Sequence, residues 1–119
     1  MLHLTLAIDC LNFTNFPQVN ENGIISFTAP VSQFTPDPFP LSGDLTLIAP
    51  FWADVDARGT GTIWHKEAND PQLLARARDE IQAAFVDQNS FVPTQLFIAT
   101  WDDVGYFNNH TDRVCSFCL

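Results

Sequence analysis

Two pairs of carboxylates in this 119-residue chain have the residue type and spacing of ligand or acid–base groups. Asp54 and Asp56 follow the run Phe51-Trp52-Ala53, and Asp102 and Asp103 follow Ala99-Thr100-Trp101, so each pair stands where an aromatic-rich strand is expected to end. If those strands are neighbours running in the same direction, four oxygen-bearing side chains meet at one sheet edge, the donor type that calcium takes. A glycoside hydrolase also needs paired carboxylates, ~5 Å apart for retention or ~6.5–9.5 Å for inversion. No further site motif accompanies these acids. The ordinary reason for Asp at a strand end is that its short side chain hydrogen-bonds nearby backbone and starts a turn.

Cys115-Ser116-Phe117-Cys118 has the CxxC spacing of redox and zinc motifs. Redox use needs a helix after the motif to stabilise the thiolate, and one residue remains. Zinc would need His110 and Cys10 as well, which requires both termini to converge. The simpler reading is unpaired cysteines of a tail, or one half of a bridge whose mate lies elsewhere. His65, between Trp64 and Lys66, reads as a structural histidine. No serine or cysteine has a sequence-local histidine and acid with triad character, although triads assemble in space, so nucleophilic catalysis finds no local support. Asn12-Phe13-Thr14 and Asn109-His110-Thr111 are glycosylation sequons, which places Asn12 and Asn109 as candidate carriers of sugar in a secreted setting.

The composition bounds the partners. Five Lys and Arg stand against fourteen Asp and Glu, a net charge of −9, and such a surface repels phosphate backbones and anionic lipid. Nucleic acid is therefore not an expected partner, nor is direct membrane insertion. Residues 1–13 are apolar but lack a basic leader and are interrupted by Asp9, so they read neither as a signal peptide nor as a span of ~20 residues. With 46% hydrophobic residues and eleven Phe, the chain supports one packed domain, which at this length buries roughly 60–70% of the unfolded surface.

The elements that would position these residues follow from local pattern. Asn22-Gly23, between two strand-like stretches, suits a two-residue type I′ hairpin turn, with Ile25 and Phe27 on one face and Ser26 and Thr28 on a wet one. Pro30, Pro36, Pro38 and Pro40 mark an ordered loop whose Phe34 and Phe39 are expected to pack down. Residues 45–53 are almost continuously apolar, the pattern of a central strand buried on both faces. Residues 61–67 read as its neighbour, reached by a turn at Arg58-Gly59. Asp70-Pro71 opens a helix at about 70–86, with Leu73 or Leu74, Ala77, Ile81 and Phe85 inward. Residues 95–101 form a second doubly buried strand. Trp52, Trp64, Trp101, Phe51 and Phe97 are core candidates. The order β-β-loop-β-β-α-β predicts an α+β domain: a mainly antiparallel sheet with one amphipathic helix packed on it.

Taken in order, VNENGIISF, VSQFTPDPFPL, IAPFWADVD, GTIWHKE before the Asp-Pro helix start, and LFIATWDDVGYF resemble the nidogen-type (NIDO) domain family of matrix and mucin-like proteins. The resemblance covers residues 19–107. It implies a non-catalytic extracellular module associated with cell-matrix adhesion, with extracellular matrix or cell-surface proteins as partners and no cofactor; calcium at Asp54, Asp56, Asp102 and Asp103 is the alternative. The pattern departs at both ends. Residues 1–18 form an atypical N-terminal segment and residues 108–119 an aberrant or truncated tail, which predicts an incomplete domain.

Overall fold

The computed structural model describes residues 16–108 and 110–118. Asn12, Asn109 and Cys10 lie outside the described residues, and so does the side chain of Cys118. Two antiparallel sheets and one helix make an α+β fold, as the pattern predicts. The smaller sheet runs β1 (Gln18–Asn20), β2 (Ile24–Ser26), β3 (Leu47–Ile48). The larger is built on β6 (Leu96–Tyr106). Strand β5 (Thr62–Ala68) pairs with its first part, β4 (Val55–Asp56) with its last two residues, and β7 (His110–Cys118) from Thr100 onward.

Alternation along β6 explains the layering. Phe97, Ala99 and Trp101 fall on one face by the two-residue period of a strand. There they meet Ile25, Phe27 and Ile48 of the smaller sheet, with Val55, Ile63 and Val104 completing the core. Leu96 and Thr100, on the opposite face, are buried too, so β6 is covered on both sides as its apolar run requires. Trp101 is fully buried, and truncating a side chain of that size costs ~3–5 kcal/mol.

The helix α1 (Pro71–Ala84) starts as predicted. The Asp70 carboxylate accepts from the N–H groups of Gln72 and Leu73, and Pro71 sits where its missing N–H costs nothing. Ala77 is its buried residue, but Phe85 is not part of the inner stripe. It is the C-cap, in extended conformation, and it is exposed.

The hairpin is tighter in chemistry and longer in sequence than a two-residue turn. Asn20 pairs with Ile24, leaving Glu21, Asn22 and Gly23 as a three-residue loop. Gly23 takes φ 76° and Asn22 is not left-handed, so this is a turn closed by a left-handed glycine, not type I′. Asn22 thereby keeps its side chain free to bond elsewhere. Strand β2 is buried on both faces, against the expected half exposure, because the Ser26 hydroxyl is satisfied internally: it accepts from Asn20 Nδ2 at 3.0 Å and donates to Ala29 O at 2.6 Å.

The predicted central strand at 45–53 is a correction. Only Leu47–Ile48 pair, at the edge of the smaller sheet. Pro50 has no N–H to give a ladder. Past it the chain bends so that the Phe51 and Ala53 N–H groups bond to Gly23 O and Asn22 O instead. Phe51 is consequently about half exposed; Trp64, on β5, is about half exposed as well, and Phe34 and Phe39 stand out from the loop rather than packing down.

Asn20 ties four segments. Its Nδ2 donates to Gln18 O, Ile24 O and Ser26 Oγ, its Oδ1 accepts from Val31 N, and its backbone O accepts from the Trp101 indole at 3.1 Å. Asn20→Ala should lower unfolding free energy by on the order of 2–3 kcal/mol, because it strands buried donors and acceptors. Gln33→Ala, which removes an exposed side chain, should change it by less than about 0.5 kcal/mol. Urea titration of both variants checks this, and equal losses would overturn the hub role of Asn20.

Candidate functional site

Asp56 on β4, with Asp54 just before it, and Asp102 and Asp103 on β6 belong to neighbouring strands, but β4 and β6 run antiparallel, with Val55 opposite Tyr106 and Asp56 opposite Gly105. Asp102 and Asp103 do not end β6; they sit within it, four and three residues before Tyr106. Among the described residues, no group of three or more His, Cys, Asp or Glu is placed to hold a metal ion.

Each acid has a local task. Asp56 is buried, and Arg58 clasps it from solvent, with Nε 2.8 Å from Oδ1, Nη2 2.6 Å from Oδ2 and the Arg58 N–H 3.1 Å from Oδ1. That bidentate hydrogen bond, and then the carboxylate charge, raise the Arg58 guanidinium above its already high range. Asp54 is half-buried, and its carbonyl accepts from Phe107 N. Asp103 takes φ 52° at a register shift between Trp101 and Val104, and Ser116 Oγ bridges the irregularity. This hydroxyl accepts from Asp103 N at 2.8 Å and lies 3.1 Å from Asp102 Oδ1 and 3.3 Å from Asp103 Oδ1. The bulge presses on Gly61, where an added Cβ would stand 2.7 Å from the Asp102 and Asp103 carbonyl oxygens.

Only Asp54 of the four lines the groove of about 290 Å³ between residues 51–55 and the β6–β7 hairpin, beside Phe51, Val104, Val114 and Cys115. The facing pair of carboxylates that hydrolysis requires is not formed there. Cys115 is an exposed free thiol on a strand, not at a helix start. His110 stacks flat on Tyr106, with centroids 4.7 Å apart and planes within 6°, and its Nδ1 lies 3.9 Å from Asp112. Tyr106 Oη donates to Asp112 Oδ1 at 3.0 Å, and this bond, followed by burial and the carboxylate charge, raises the phenol above its usual pKa. His65 stacks on Phe97, with ring centroids 5.4 Å apart.

Sequence reasoning missed the anchoring of the proline-rich loop. Asn22 Nδ2 donates to Ser32 O and Gln33 O, while its Oδ1 accepts from Val55 N, so one side chain joins that loop to β4. Trp52 adds a bond from its indole to Gln33 O and meets the Phe39 ring edge-on, with centroids 6.5 Å apart. The only signal was Asn22 beside Gly23, which reads equally well as plain turn chemistry.

The two sheets, the Asn-Gly hub and the anchored loop belong to a domain class that comparison identifies. The chain is a member of the nidogen-like domain family, whose model matches residues 15–119 and so takes in β1 and β7. It is 46% identical over 89 residues, 75% of its length, to alpha-tectorin of Mus musculus and 36% identical over 103 residues, 83% of its length, to nidogen of Drosophila melanogaster. It is also 31% identical over 88 residues, 74% of its length, to dendrite extension defective protein 1 of Caenorhabditis elegans. The chain spans 4% of the first of these relatives and 7% of the other two. No solved structure matches it significantly. The domain is thus of the kind carried by nidogen- and tectorin-type extracellular matrix proteins. No helix among the described residues is long and apolar enough to cross a membrane.

Two outcomes test this geometry. Gly61→Ala must displace backbone, whereas Gly43, also left-handed, has open space around it. Gly61→Ala should therefore lower the melting temperature well beyond Gly43→Ala, which carries only the conformational cost of ~1–2 kcal/mol. Tyr106 is the single tyrosine, so its ionisation can be followed by ultraviolet absorbance. Its midpoint should lie above the ordinary ~10 and fall toward it in Asp112→Ala. Since the folded value is raised, the stabilising effect of this bond is complete below the unfolded pKa and disappears as pH rises through the folded one. An unchanged midpoint in Asp112→Ala would sink the assignment.

Proposed function

We propose that this chain is a non-catalytic interaction module of an extracellular matrix or cell-surface protein and serves cell-matrix adhesion by binding other extracellular proteins. The observation that carries this reading is the nidogen-like match over residues 15–119, which spans the folded unit. Matrix proteins among the relatives support the location and the structural rather than enzymatic role. The local use of the acids agrees: Asp56 is engaged by Arg58, and Asp102 and Asp103 shape a bulge with Ser116. The net charge of −9 directs recognition away from nucleic acid and anionic lipid and toward protein surfaces.

The test is saturable binding of the full chain, secreted from animal cells behind an added leader, to matrix laid down by cultured cells and stripped of the cells. Binding should exceed that of an unrelated protein of equal charge and be competed by unlabelled chain. Equal binding by the control would defeat the proposal. Chelation of calcium should leave the signal unchanged; a signal lost with chelator and restored by calcium would favour the calcium-dependent alternative at Asp54, Asp56, Asp102 and Asp103 instead.

A further inference from the structure

The loop between β2 and β3 presents large apolar side chains from a held backbone. Phe34 is 56% and Phe39 64% exposed, yet the segment that carries them is bonded to three elements. Val31 N donates to Asn20 Oδ1 at 2.6 Å, Asn22 Nδ2 reaches Ser32 O and Gln33 O, and the Trp52 indole donates to Gln33 O at 3.0 Å. Within the loop, Gln33 Nε2 donates to Thr35 O and to Asp37 Oδ2 at 2.9 Å, and four prolines restrict what remains. Aromatic groups exposed on a backbone ordered in advance lose little entropy when they bind, which is how the energetic centres of interfaces are built.

Charge says what the surface takes. From Met1 to Ala57 the chain has no Lys or Arg, while Asp9, Glu21, Asp37, Asp44, Asp54 and Asp56 all fall in that stretch. Only Asp56 of these is neutralised by a salt bridge among the described residues, through Arg58. Asp37 stands in the loop between the two exposed phenylalanines. An anionic lipid headgroup layer or a second copy of this chain would bring like charge to the same place.

We propose that the tip of this loop is a docking surface for a basic protein segment, one that lays an aliphatic or aromatic side chain against Phe34 and Phe39 and sets Arg or Lys beside Asp37. Phe39 and Trp52, edge to face, also offer ring surface to such a cation. The inference rests on the reading of the chain as a protein-binding module and names the surface and the chemistry of its partner.

The experiment selects displayed random dodecapeptides on the immobilised full chain and, in parallel, on Phe34→Ala/Phe39→Ala. The wild type should enrich peptides with Arg or Lys next to Leu, Pro or an aromatic residue, and the double variant should not. For a selected peptide, calorimetry should show a loss of about tenfold or more for Phe39→Ala, the size of a modest hot spot. Its affinity should also fall as salt is raised. Asp37→Asn, which keeps both rings and an oxygen to accept from Gln33 while removing the local charge, should weaken the basic peptides too; this arm decides the matter if the double variant melts at lower temperature than the wild type. Enrichment of acidic peptides, equal enrichment by the variants, or no enrichment overturns the proposal. A dimer in sedimentation that Phe39→Ala dissolves overturns it in favour of self-association. Matrix binding that persists in all these variants removes the docking surface while leaving the module reading intact, whereas matrix binding absent in the wild type removes the module reading itself.

Discussion

Four residues of a hairpin turn, Asn20 to Gly23, hold the structure together. Their backbone carbonyls and two amide side chains bond to β2, the proline-rich loop, the segment after Pro50, β4 and the indole of Trp101. Most of these partners belong to stretches with little regular structure of their own. A buried polar group in such a place must find a partner or cost about 1–3 kcal/mol, and here two asparagines supply the partners. Glu21, between them, accepts from Ala57 N through its carboxylate, which draws the turn toward the chain beyond β4. The left-handed Gly23 makes this possible, since it closes the turn without recruiting the Asn22 side chain.

The second organising element is β6, and its irregularities are as important as its burial. A strand of eleven residues pairs on one side with β5 and then β4, which becomes feasible because the bulge at Asp102 and Asp103 re-aims the ladder between them. Gly61 and Ser116 accommodate that bulge from either side. Residues with the outward signs of a ligand set thus act as sheet-shaping residues.

Much of this was readable beforehand, and the exceptions have physical causes. The Asp70-Pro71 helix start and the two-faced burial at 95–101 are local rules acting alone, and both hold. The stretch 45–53 misled because apolar content reports burial, not pairing, and Pro50 cannot pair. The bonding of Asn20 and Asn22 is invisible in sequence because their partners lie up to 81 residues away. Strand β7 has no apolar alternation to announce it: its exposed residues include Arg113 and Val114, and its place in the sheet comes from backbone hydrogen bonds that any side chains would permit. The acid pairs were legible as residues but not as roles, since the same Asp suits a turn, a bulge or a ligand shell until its neighbours are known. The nidogen-like resemblance at 19–107 was carried by the order of several segments, and the family match to 15–119 extends it in both directions.

The bond between the Trp101 indole and the Asn20 carbonyl has a consequence for the order in which the fold closes. The hairpins β1–β2 and β6–β7 and the helix join residues close in sequence, whereas this bond, which ties the two sheets together, spans 81 residues. Loop entropy must be given up before so distant a contact returns anything, so the sheets meet after the local elements have formed. Until they meet, the apolar face of β6 is open to other chains.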